Sequence, residues 1–371
     1  LARDLGSDSV PFGQLWYLAQ GVLFGTGERP VDDVAREFTR RWAELFQLDQ
    51  LGSAVHSVTL SSAELAEPVR RVFPAEHPAW AAARIHSPDL HISAASVEAL
   101  ARGEFNLVLG ELHAAWSTFD AGLFLVGTDR VEELRAATLA DVGPGRMLLL
   151  LPLSWPRHTA RLAGALDNET DFQLGYMPAP GADPDRLVPL TSLTVSDKDG
   201  ELMVRGATQE WPLIEVFAEL IAIHTQGAFK LVAAEGHSPR ITVDRMVLAR
   251  ETWRTTVGDT GLGDVRGEQA QYLAVRRWRA ELGLPESVFV SLATETKPCY
   301  VDLSSPIYVS IFCAMVRAAR LEGGDAVPIV ITEMLPAPED AWVPDAEGNR
   351  YSSELRIQVC DREPSLTGRR P

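Results

Sequence analysis

Apolar residues near the amino end of the chain recur at steps of three and four positions. In the segment after Pro30, one such stripe is formed by Val31, Val34, Phe38, Trp42, Leu45 and Phe46. This spacing predicts an amphipathic helix with one buried face. Asp32 and Asp33 lie in its first turn, where the positive end of the helix dipole favours acidic side chains. Comparable patterns predict three further helices in this part, at 62–72, 96–102 and 129–139.

From about residue 147 onward, short apolar runs are separated by turn residues instead. The run SDKDGEL predicts a hairpin turn, because it places Asp-Gly between two apolar strands. The segment 237–253 alternates like two strands or one bent strand, and 288–303 predicts two strands joined by a polar TETKP turn. The same patterns predict helices at 268–282 and 306–320, and strands at 327–335 and 352–359.

Two segments near residue 100 are less regular. The sequence RIHSPDLHIS at 84–93 predicts a loop that leads into a short strand, and 105–109 alternates like a strand. The order of elements indicates an α+β fold, with a helix-rich first part followed by a strand-rich mixed part. We expect a helix-rich subdomain at 1–146 and a strand-rich α+β subdomain at 147–371.

Composition and charge narrow the class of protein. With 46% hydrophobic and 23% charged residues, the chain has the composition of a globular protein. No apolar run reaches the roughly 18 residues of a membrane-spanning helix, and the three cysteines show no disulfide or CxxC spacing. These features predict a cytoplasmic protein. The net charge of −17 argues against this chain holding nucleic acid alone. Arg276, Arg277 and Arg279 form a local basic cluster, which is either a phosphate contact or a solvated helix face.

The sequence contains no Walker loop, no GxSxG elbow and no zinc-binding spacing of Cys and His, so we expect no metal site. Glu111 and His113 share a parity if their strand continues, so the carboxylate could orient the imidazole or raise its basicity. The alternative is a buried hydrogen-bonded pair that anchors a turn. Arg157 and His158 are either an anion site or a surface pair at a helix start. Composition and spacing alone do not reveal a reaction.

Several longer segments together resemble a known family. They are HSPDLHISAASVEALARGEFNLVLGELHAAWSTFD at 86–120, WPLIEVFAEL at 211–220, the segment 237–253, the segment 276–312 and the closing segment 333–359. The strongest is 276–312, in which a helix, a Gly-Leu-Pro turn, a strand, Lys-Pro and Asp-Leu-x-Ser-Pro follow one another. In this order they resemble the N-terminal, tRNA-dependent glutamylation domain of the lantibiotic dehydratases, including their peptide aminoacyl-tRNA ligase relatives.

The resemblance implies a transferase that uses aminoacyl-tRNA as co-substrate and has no tightly bound cofactor. Family members transfer glutamate from glutamyl-tRNA to Ser or Thr of a ribosomal precursor peptide ahead of dehydration, or append an amino acid to the peptide's C-terminus. The implied partners are the precursor peptide, aminoacyl-tRNA, an N-terminal half of the domain or a separate elimination or cyclisation protein, and another copy of the chain; no membrane is implied. Because the family's first segment and its elimination domain have no counterpart here, we expect the C-terminal half of the glutamylation domain.

Within this resemblance, Glu111 and His113 are the candidate catalytic residues. The candidates for contacts with tRNA or substrate are basic side chains, namely Arg157, His158, Arg240, Arg276, Arg277, Lys297 and Arg356. Lys297 precedes Pro298 in a predicted turn, which would present its ammonium group to a carboxylate or a phosphate, or simply expose it to solvent. The alternative function is a non-catalytic, dehydratase-like module that binds a leader peptide or a partner enzyme. Whether the chain is active by itself stays open at this point.

Overall fold

The structure, a computed structural model, describes residues 7–24, 30–51, 54–74, 78, 80–114, 129–149, 166–175, 184–218, 231, 236–295 and 297–361. Its α-helices include α1 (Phe12–Phe24), α2 (Pro30–Leu45), α3 (Ser62–Val72), α4 (Val97–Ala101), α5 (Val131–Val142), α6 (Glu268–Leu282) and α7 (Pro306–Gly323). Residues 213–218 are helical as well. The helices predicted after Pro30, at 62–72 and at 268–282 are thereby confirmed. No helix in the described ranges combines the length and the apolar character that crossing a membrane requires.

Local capping explains where several helices begin and end. At the start of α3, the Ser61 hydroxyl accepts a hydrogen bond from the Glu64 amide, and the Glu64 carboxylate accepts one from the Ser61 amide. This capping box satisfies two amide groups that the first turn leaves unpaired. The hydroxyl of Ser96 caps α4 in the same way by accepting from the Ala99 amide. Helix α6 ends at Gly283, whose φ of 67° is left-handed and favours glycine.

The strands are shorter and more numerous in the second part. They are β1 (Ser9–Pro11), β2 (Ser57–Leu60), β3 (Ile85–Ser93), β4 (Asn106–Ala114), β5 (Met147–Leu149), β6 (Phe172–Gly175), β7 (Leu187–Pro189), β8 (Thr194–Lys198), β9 (Glu201–Arg205), β10 (Glu210–Pro212), β11 (His237–Ser238), β12 (Arg240–Val243), β13 (Met246–Ala249), β14 (Thr252–Thr256), β15 (Ser287–Leu292), β16 (Cys299–Asp302), β17 (Pro328–Glu333), β18 (Val343–Pro344), β19 (Arg350–Tyr351), β20 (Ser353–Arg356) and β21 (Val359–Cys360). The α+β class, with helices earlier and strands later, is confirmed.

A five-stranded antiparallel sheet, in the order β11-β14-β17-β15-β16, forms one wall of the site described below. Its strands alternate in burial along β15 and β17, as expected for a sheet with two different faces. One face packs against α6 and α7, where Trp253, Trp278, Phe312 and Ile331 belong to a single buried core. The other face is left to line a cleft.

A mixed sheet in the order β2-β12-β13-β4-β3-β20, with β21 also paired to β3, forms the opposite wall. The prediction of a loop over most of 84–93 is wrong, because β3 is a nine-residue strand that contains Pro88. Proline cannot donate to a ladder, and it is tolerated here because the β3–β4 register shifts next to it. This sheet joins strands from both sides of residue 146, and the division into subdomains at that point stays a prediction.

A second core lies between smaller sheets. The four-stranded sheet β1-β8-β9-β10 and the parallel sheet β5-β6-β7 contribute to one buried cluster with Phe12, Trp16 and Phe217. The predicted hairpin joins β8 to β9, and Asp199 and Gly200 in its turn both have positive φ, 56° and 88°. Positive φ at both central residues is the requirement of a type I′ turn, so the Asp-Gly signal was sufficient to place it.

Candidate functional site

A cleft of about 840 Å³ lies between the five-stranded and the seven-stranded sheets. The five-stranded sheet contributes alternate residues of three neighbouring strands, namely Thr252, Arg254, Phe289, Ser291, Val330 and Thr332. Alternate residues point to one face of a strand. The intervening residues, Trp253, Val290 and Ile331 among them, lie in the core on the other face. The cleft is therefore the second face of the sheet that carries the largest core.

The seven-stranded sheet and two connections complete the lining. Strands β3, β4 and β20 contribute Asp89, His91, Gly110, Glu111, Glu354 and Arg356. Lys297 and Pro298 enter from the turn between β15 and β16, and Met334 enters from the residues that follow β17. The structure thus brings together three residues singled out from the sequence, Glu111, Lys297 and Arg356.

A β-bulge shapes the cleft at Gly110 and Glu111. Pro88 pairs with Leu112 and Leu90 pairs with Leu109, so both residues of the bulge face Asp89 alone. The bulge breaks the alternation along β4 and turns the Glu111 side chain toward the cleft. A Cβ atom at Gly110 would lie 3.1 Å from the Asp89 carbonyl oxygen and 3.3 Å from His91 Nε2. Glycine therefore permits the close approach of the two strands.

We expect Gly110→Val to destabilise the fold by about 1–3 kcal/mol, because the added atoms overlap with the backbone of Asp89. Urea denaturation of the purified chain measures this change. Gly110→Ala adds a single carbon and serves as the graded control, with a smaller loss. A stability of Gly110→Val equal to that of the unchanged chain would contradict the tight approach.

Asp89 is the centre of a buried polar network beneath the cleft. Its Oδ2 atom lies 3.2 Å from His113 Nε2, and its Oδ1 atom accepts a hydrogen bond of 3.0 Å from Arg356 Nη1. Asp89 and His113 are both buried, whereas the Glu111 side chain is 64% exposed. Glu111 Oε2 and His113 Nε2 are 3.9 Å apart. Glu111 and His113, the pair predicted from the sequence, thus lie close together, but only the Glu111 carboxylate lines the cleft. The catalytic role of the pair stays a prediction.

Two arginines supply positive charge from the strand β14 region. Arg250 donates to the carbonyl oxygens of Leu109 and Leu335, and Arg254 donates to the Ser238 hydroxyl at 3.2 Å. Burial lowers the pKa of both guanidinium groups from the ordinary arginine value. Among the described residues, neither arginine forms an ion pair with a carboxylate. Partly buried cations of this kind are suited to bind an anion from outside the chain.

The cleft is locally basic although the chain is acidic. Arg356 is occupied by Asp89 and Glu354, with which it forms ion pairs of 3.0 and 2.9 Å. This leaves Arg250, Arg254 and the exposed Lys297 against Glu111, the one carboxylate of the lining that does not pair with Arg356. The overall charge of −17 therefore does not describe the charge of the cleft.

His91 provides a test of burial in the cleft wall. Burial lowers the pKa of His91, and the nearby Arg250 guanidinium lowers it further. The His91 imidazole therefore binds a proton more readily in the unfolded chain than in the folded chain. As pH falls below about 6.5, the ordinary pKa of histidine, the free energy of unfolding decreases until the lower pKa of the folded state is reached. We expect His91→Gln to weaken the loss of thermal stability between about pH 7 and pH 5. An unchanged pH dependence in melting experiments would show that His91 is not desolvated.

Three other residues predicted from the sequence, Arg240, Arg276 and Arg277, do not line the cleft. Arg240 forms an ion pair with the buried Glu333, with 2.8 Å between Nε and Oε1. Arg276 and Arg277 are exposed on α6, on the far side of the five-stranded sheet, where Arg276 stacks over the Tyr272 ring. Their roles in tRNA or substrate binding stay predictions. Arg157 and His158 lie outside the described residues.

Sequence reasoning missed Asp89, Arg250 and Arg254. The sequence did contain a pattern that indicates Arg250 and Arg254. Positions 250, 252 and 254 are polar and lie on the opposite side of a predicted strand from the apolar Trp253. Asp89 carried no such signal, since it follows Pro88 in a segment that predicted a loop. Only the register shift places it opposite two residues of β4.

The family described as "Lantibiotic dehydratase, N terminus" matches residues 19–312, which is most of the chain. The chain belongs to this family. The match includes Asp89, Glu111, Arg250, Arg254 and Lys297, whereas Arg356 lies beyond it. Membership in the lantibiotic dehydratase family confirms the resemblance that the ordered segments indicated. No match was found among the curated proteins.

Solved structures of glutamylation domains have a similar fold. The glutamylation domain TbtB from thiomuracin biosynthesis aligns with a TM-score of 0.53 and 17% identity, over 96% of this chain and 46% of that one. The same domain bound to 5'-phosphodesmethylglutamycin aligns with a TM-score of 0.52 and 17% identity, over 95% and 45%. The tRNA-dependent lantibiotic dehydratase MibB from Microbispora sp. 107891 gives a TM-score of 0.47 and 18% identity, over 80% and 31%. The chain thus spans less than half the length of each of these chains.

Proposed function

We propose that the chain is part of a tRNA-dependent glutamyl transferase, which glutamylates Ser or Thr of a ribosomally made precursor peptide ahead of dehydration. Membership in the family and the fold shared with glutamylation domains support this activity. The observation that carries the proposal is the cleft between the two sheets, where Arg250, Arg254 and Lys297 face only one carboxylate that Arg356 does not pair with, in an otherwise acidic chain.

The reaction is an acyl transfer between two oxygen atoms. The glutamyl carbonyl carbon forms a bond to the Ser or Thr hydroxyl oxygen and loses its ester bond to the tRNA ribose. The hydroxyl proton goes first to a base and finally to the ribose oxygen, so no oxidant or reductant is consumed. Such a reaction requires that the partners be positioned and that developing negative charge be neutralised. Guanidinium groups suit both tasks, because their planar fork binds carboxylates and phosphates through two hydrogen bonds.

Within this proposal, Arg254 and Arg250 bind an anionic group of glutamyl-tRNA, either the glutamate side chain or a terminal phosphate. Arg254 reaches the cleft from β14, Arg250 from the connection between β13 and β14, and Lys297 from the turn between β15 and β16. Exposure of Lys297 leaves its ammonium group accessible to the same ligand. Arg356 holds Asp89 and Glu354 in place instead. Arg276 and Arg277 form a separate basic surface on α6, which we assign to contacts with the tRNA backbone outside the cleft.

Glu111 is the proposed proton acceptor, because its exposed carboxylate lines the cleft beside these cations. His113 does not line the cleft and acts as a positioning residue through Asp89 and Glu111. A positioned general base contributes about 10²–10⁴-fold to a rate. The position of Glu111 in the cleft lining, together with Arg250, Arg254 and Lys297, supports this assignment.

A second function is favoured by the apolar part of the cleft. Phe289, Val330 and Met334 line it together with the polar residues, and a mixed lining of this kind also accommodates side chains of a bound peptide. In this alternative the chain is a non-catalytic module that holds a leader peptide. Peptide binding without any transfer of glutamate would favour it.

Transfer of labelled glutamate tests the proposal. The full chain is incubated with ¹⁴C-glutamyl-tRNA and a precursor peptide, alone and together with the segment of the glutamylation domain that it does not span. We expect the peptide to become labelled and hydroxylamine to release that label. Hydroxylamine cleaves a glutamyl ester of Ser or Thr, whereas it does not cleave an amide at the C-terminus. Two results together would overturn the proposal in favour of the binding module. No label would be transferred under either condition, and the variants Glu111→Gln and Arg254→Met would bind the peptide as tightly as the unchanged chain.

A further inference from the structure

A second polar cluster lies outside the cleft, at the junction of the two sheets. His56 immediately precedes β2, His237 begins β11 and Glu251 immediately precedes β14. The Oε1 atom of Glu251 lies 2.6 Å from His56 Nδ1 and 2.7 Å from His237 Nε2. The three atoms all lie within 4.8 Å of one another. None of these residues lines the cleft, so the proposed transfer reaction leaves the cluster unexplained.

The Glu251 carboxylate is buried and its charge needs compensation. The Arg240 guanidinium interacts with the Glu251 charge at longer range, but it donates through Nε and Nη2 to Glu333. Glu333 in turn accepts a 2.7 Å hydrogen bond from the Glu251 amide, which fixes the backbone at this point. Among the described residues, the groups in hydrogen-bond contact with the Glu251 carboxylate are the two imidazoles. A buried carboxylate is stable only when it is paired or bound to a cation.

The surroundings favour a cation and leave space for it. The His56 side chain is 54% exposed, so solvent reaches one side of the cluster. Its ring lies against Gly283 at the C-terminal end of α6, where a Cβ atom would approach His56 Cε1 to 3.1 Å. The C-terminal end of a helix carries partial negative charge and attracts cations. On the other side, the His237 ring lies 5.5 Å from the ring of Trp253, which holds it in place.

We propose that His56 Nδ1, His237 Nε2 and Glu251 Oε1 bind a divalent transition-metal ion, with Zn²⁺ as the best match. Two imidazole nitrogens and one carboxylate oxygen form a donor set that zinc accepts, with water as a fourth ligand. Tetrahedral zinc with bonds of about 2.0–2.1 Å separates its donor atoms by about 3.3 Å. The two imidazoles therefore have to move away from Glu251 by less than about 1 Å, a change that the exposed His56 side chain permits.

The proposed ion has a structural role. Strand β2 belongs to the seven-stranded sheet, whereas β11 and β14 belong to the five-stranded sheet. A metal ion bound between them fixes the two walls of the cleft relative to each other. The sequence indicated no metal site, since His56 and Glu251 are 195 positions apart and His237 is 14 positions from Glu251. Neither spacing belongs to a local zinc motif.

Zinc binding to the purified full chain tests this site without reference to its activity. After treatment with a chelator, calorimetric titration with ZnCl₂ should show one ion bound per chain. His56→Ala, His237→Ala and Glu251→Gln should each weaken binding at least about 10-fold, because loss of an outer-sphere partner alone costs that much. His86→Ala, which removes a histidine of β3 outside the cluster, should leave the affinity unchanged.

Two further measurements keep the test independent of folding defects. Zinc should raise the melting temperature of the unchanged chain but not that of His56→Ala, whose exposed side chain can be removed without opening the core. Cobalt(II) in place of zinc should give a visible absorption spectrum that His56→Ala abolishes. Zinc affinity equal in the unchanged chain and in all three variants, or an absence of stoichiometric binding, would overturn the proposal.

Discussion

Arg254→Met is expected to reduce glutamate transfer to the precursor peptide by about 10²-fold, the typical loss when one charge-stabilising donor is removed from a reaction site. Arg254 points from β14 into the cleft, and its described hydrogen bond is to the neutral Ser238 hydroxyl. Burial lowers the pKa of its guanidinium, which means that the charged form is held at a cost. A bound anion would remove that cost.

This residue should therefore separate activity from stability. Methionine keeps much of the side-chain volume and needs no counter-ion, so we expect Arg254→Met to melt at the same temperature as the unchanged chain or higher. Arg254→Lys retains the charge without the planar fork and should recover only part of the transfer. The transfer assay and a thermal melt of the same preparations provide both readouts.

Arg205→Met is the matched control, because Arg205 also lies on a strand but is exposed and paired with Glu210 in a different sheet. It should leave transfer unchanged. Transfer by Arg254→Met at the rate of the control would contradict an anion site at Arg254. A large loss of stability in Arg254→Met would show instead that the guanidinium serves the fold.

Phe312→Ala is expected to lower the free energy of unfolding by about 3–5 kcal/mol. Phe312 is fully buried on α7 and packs against Trp278 of α6, with ring centroids 5.6 Å apart. Its removal leaves a cavity between the helices and the inner face of the five-stranded sheet. Because the outer face of that sheet lines the cleft, the variant should also lose glutamate transfer at temperatures where it begins to unfold.

Urea denaturation followed by tryptophan fluorescence measures the effect of Phe312→Ala. Ile311→Ala is the matched control, since Ile311 is the preceding residue of the same helix and is 50% exposed. A surface substitution of this kind should change stability by no more than about 0.5 kcal/mol. Equal effects of the two substitutions would contradict the packing of α7 on the sheet.

Much of the local structure followed from the sequence. The helices at 62–72 and 268–282 were predicted with the bounds observed, because a capping box, apolar periodicity and a terminal glycine act within a few residues. The Asp-Gly hairpin was predicted for the same reason. Family membership also followed from sequence, since several ordered segments together carried a signal that none carried alone.

Pairing between distant strands was decided only by the tertiary structure. Pro88 indicated a loop, yet β3 continues through it because the neighbouring register shift removes the need for its missing amide. The same shift forms the bulge that turns Glu111 toward the cleft. The sequence therefore proposed Glu111 and His113 as a pair, but could not show that Asp89 is the buried partner of His113.

The sequence by itself determined many of the helices, the hairpin and the α+β class, because those depend on interactions between near neighbours along the chain. It also determined the family, through the order of several separate segments. The tertiary structure alone decided which charges meet. Arg254 reaches the cleft, whereas Arg240 is occupied by Glu333, 93 positions away. Charge pairing is set by sheet order and register across long separations, and no local pattern of residues encodes those distances.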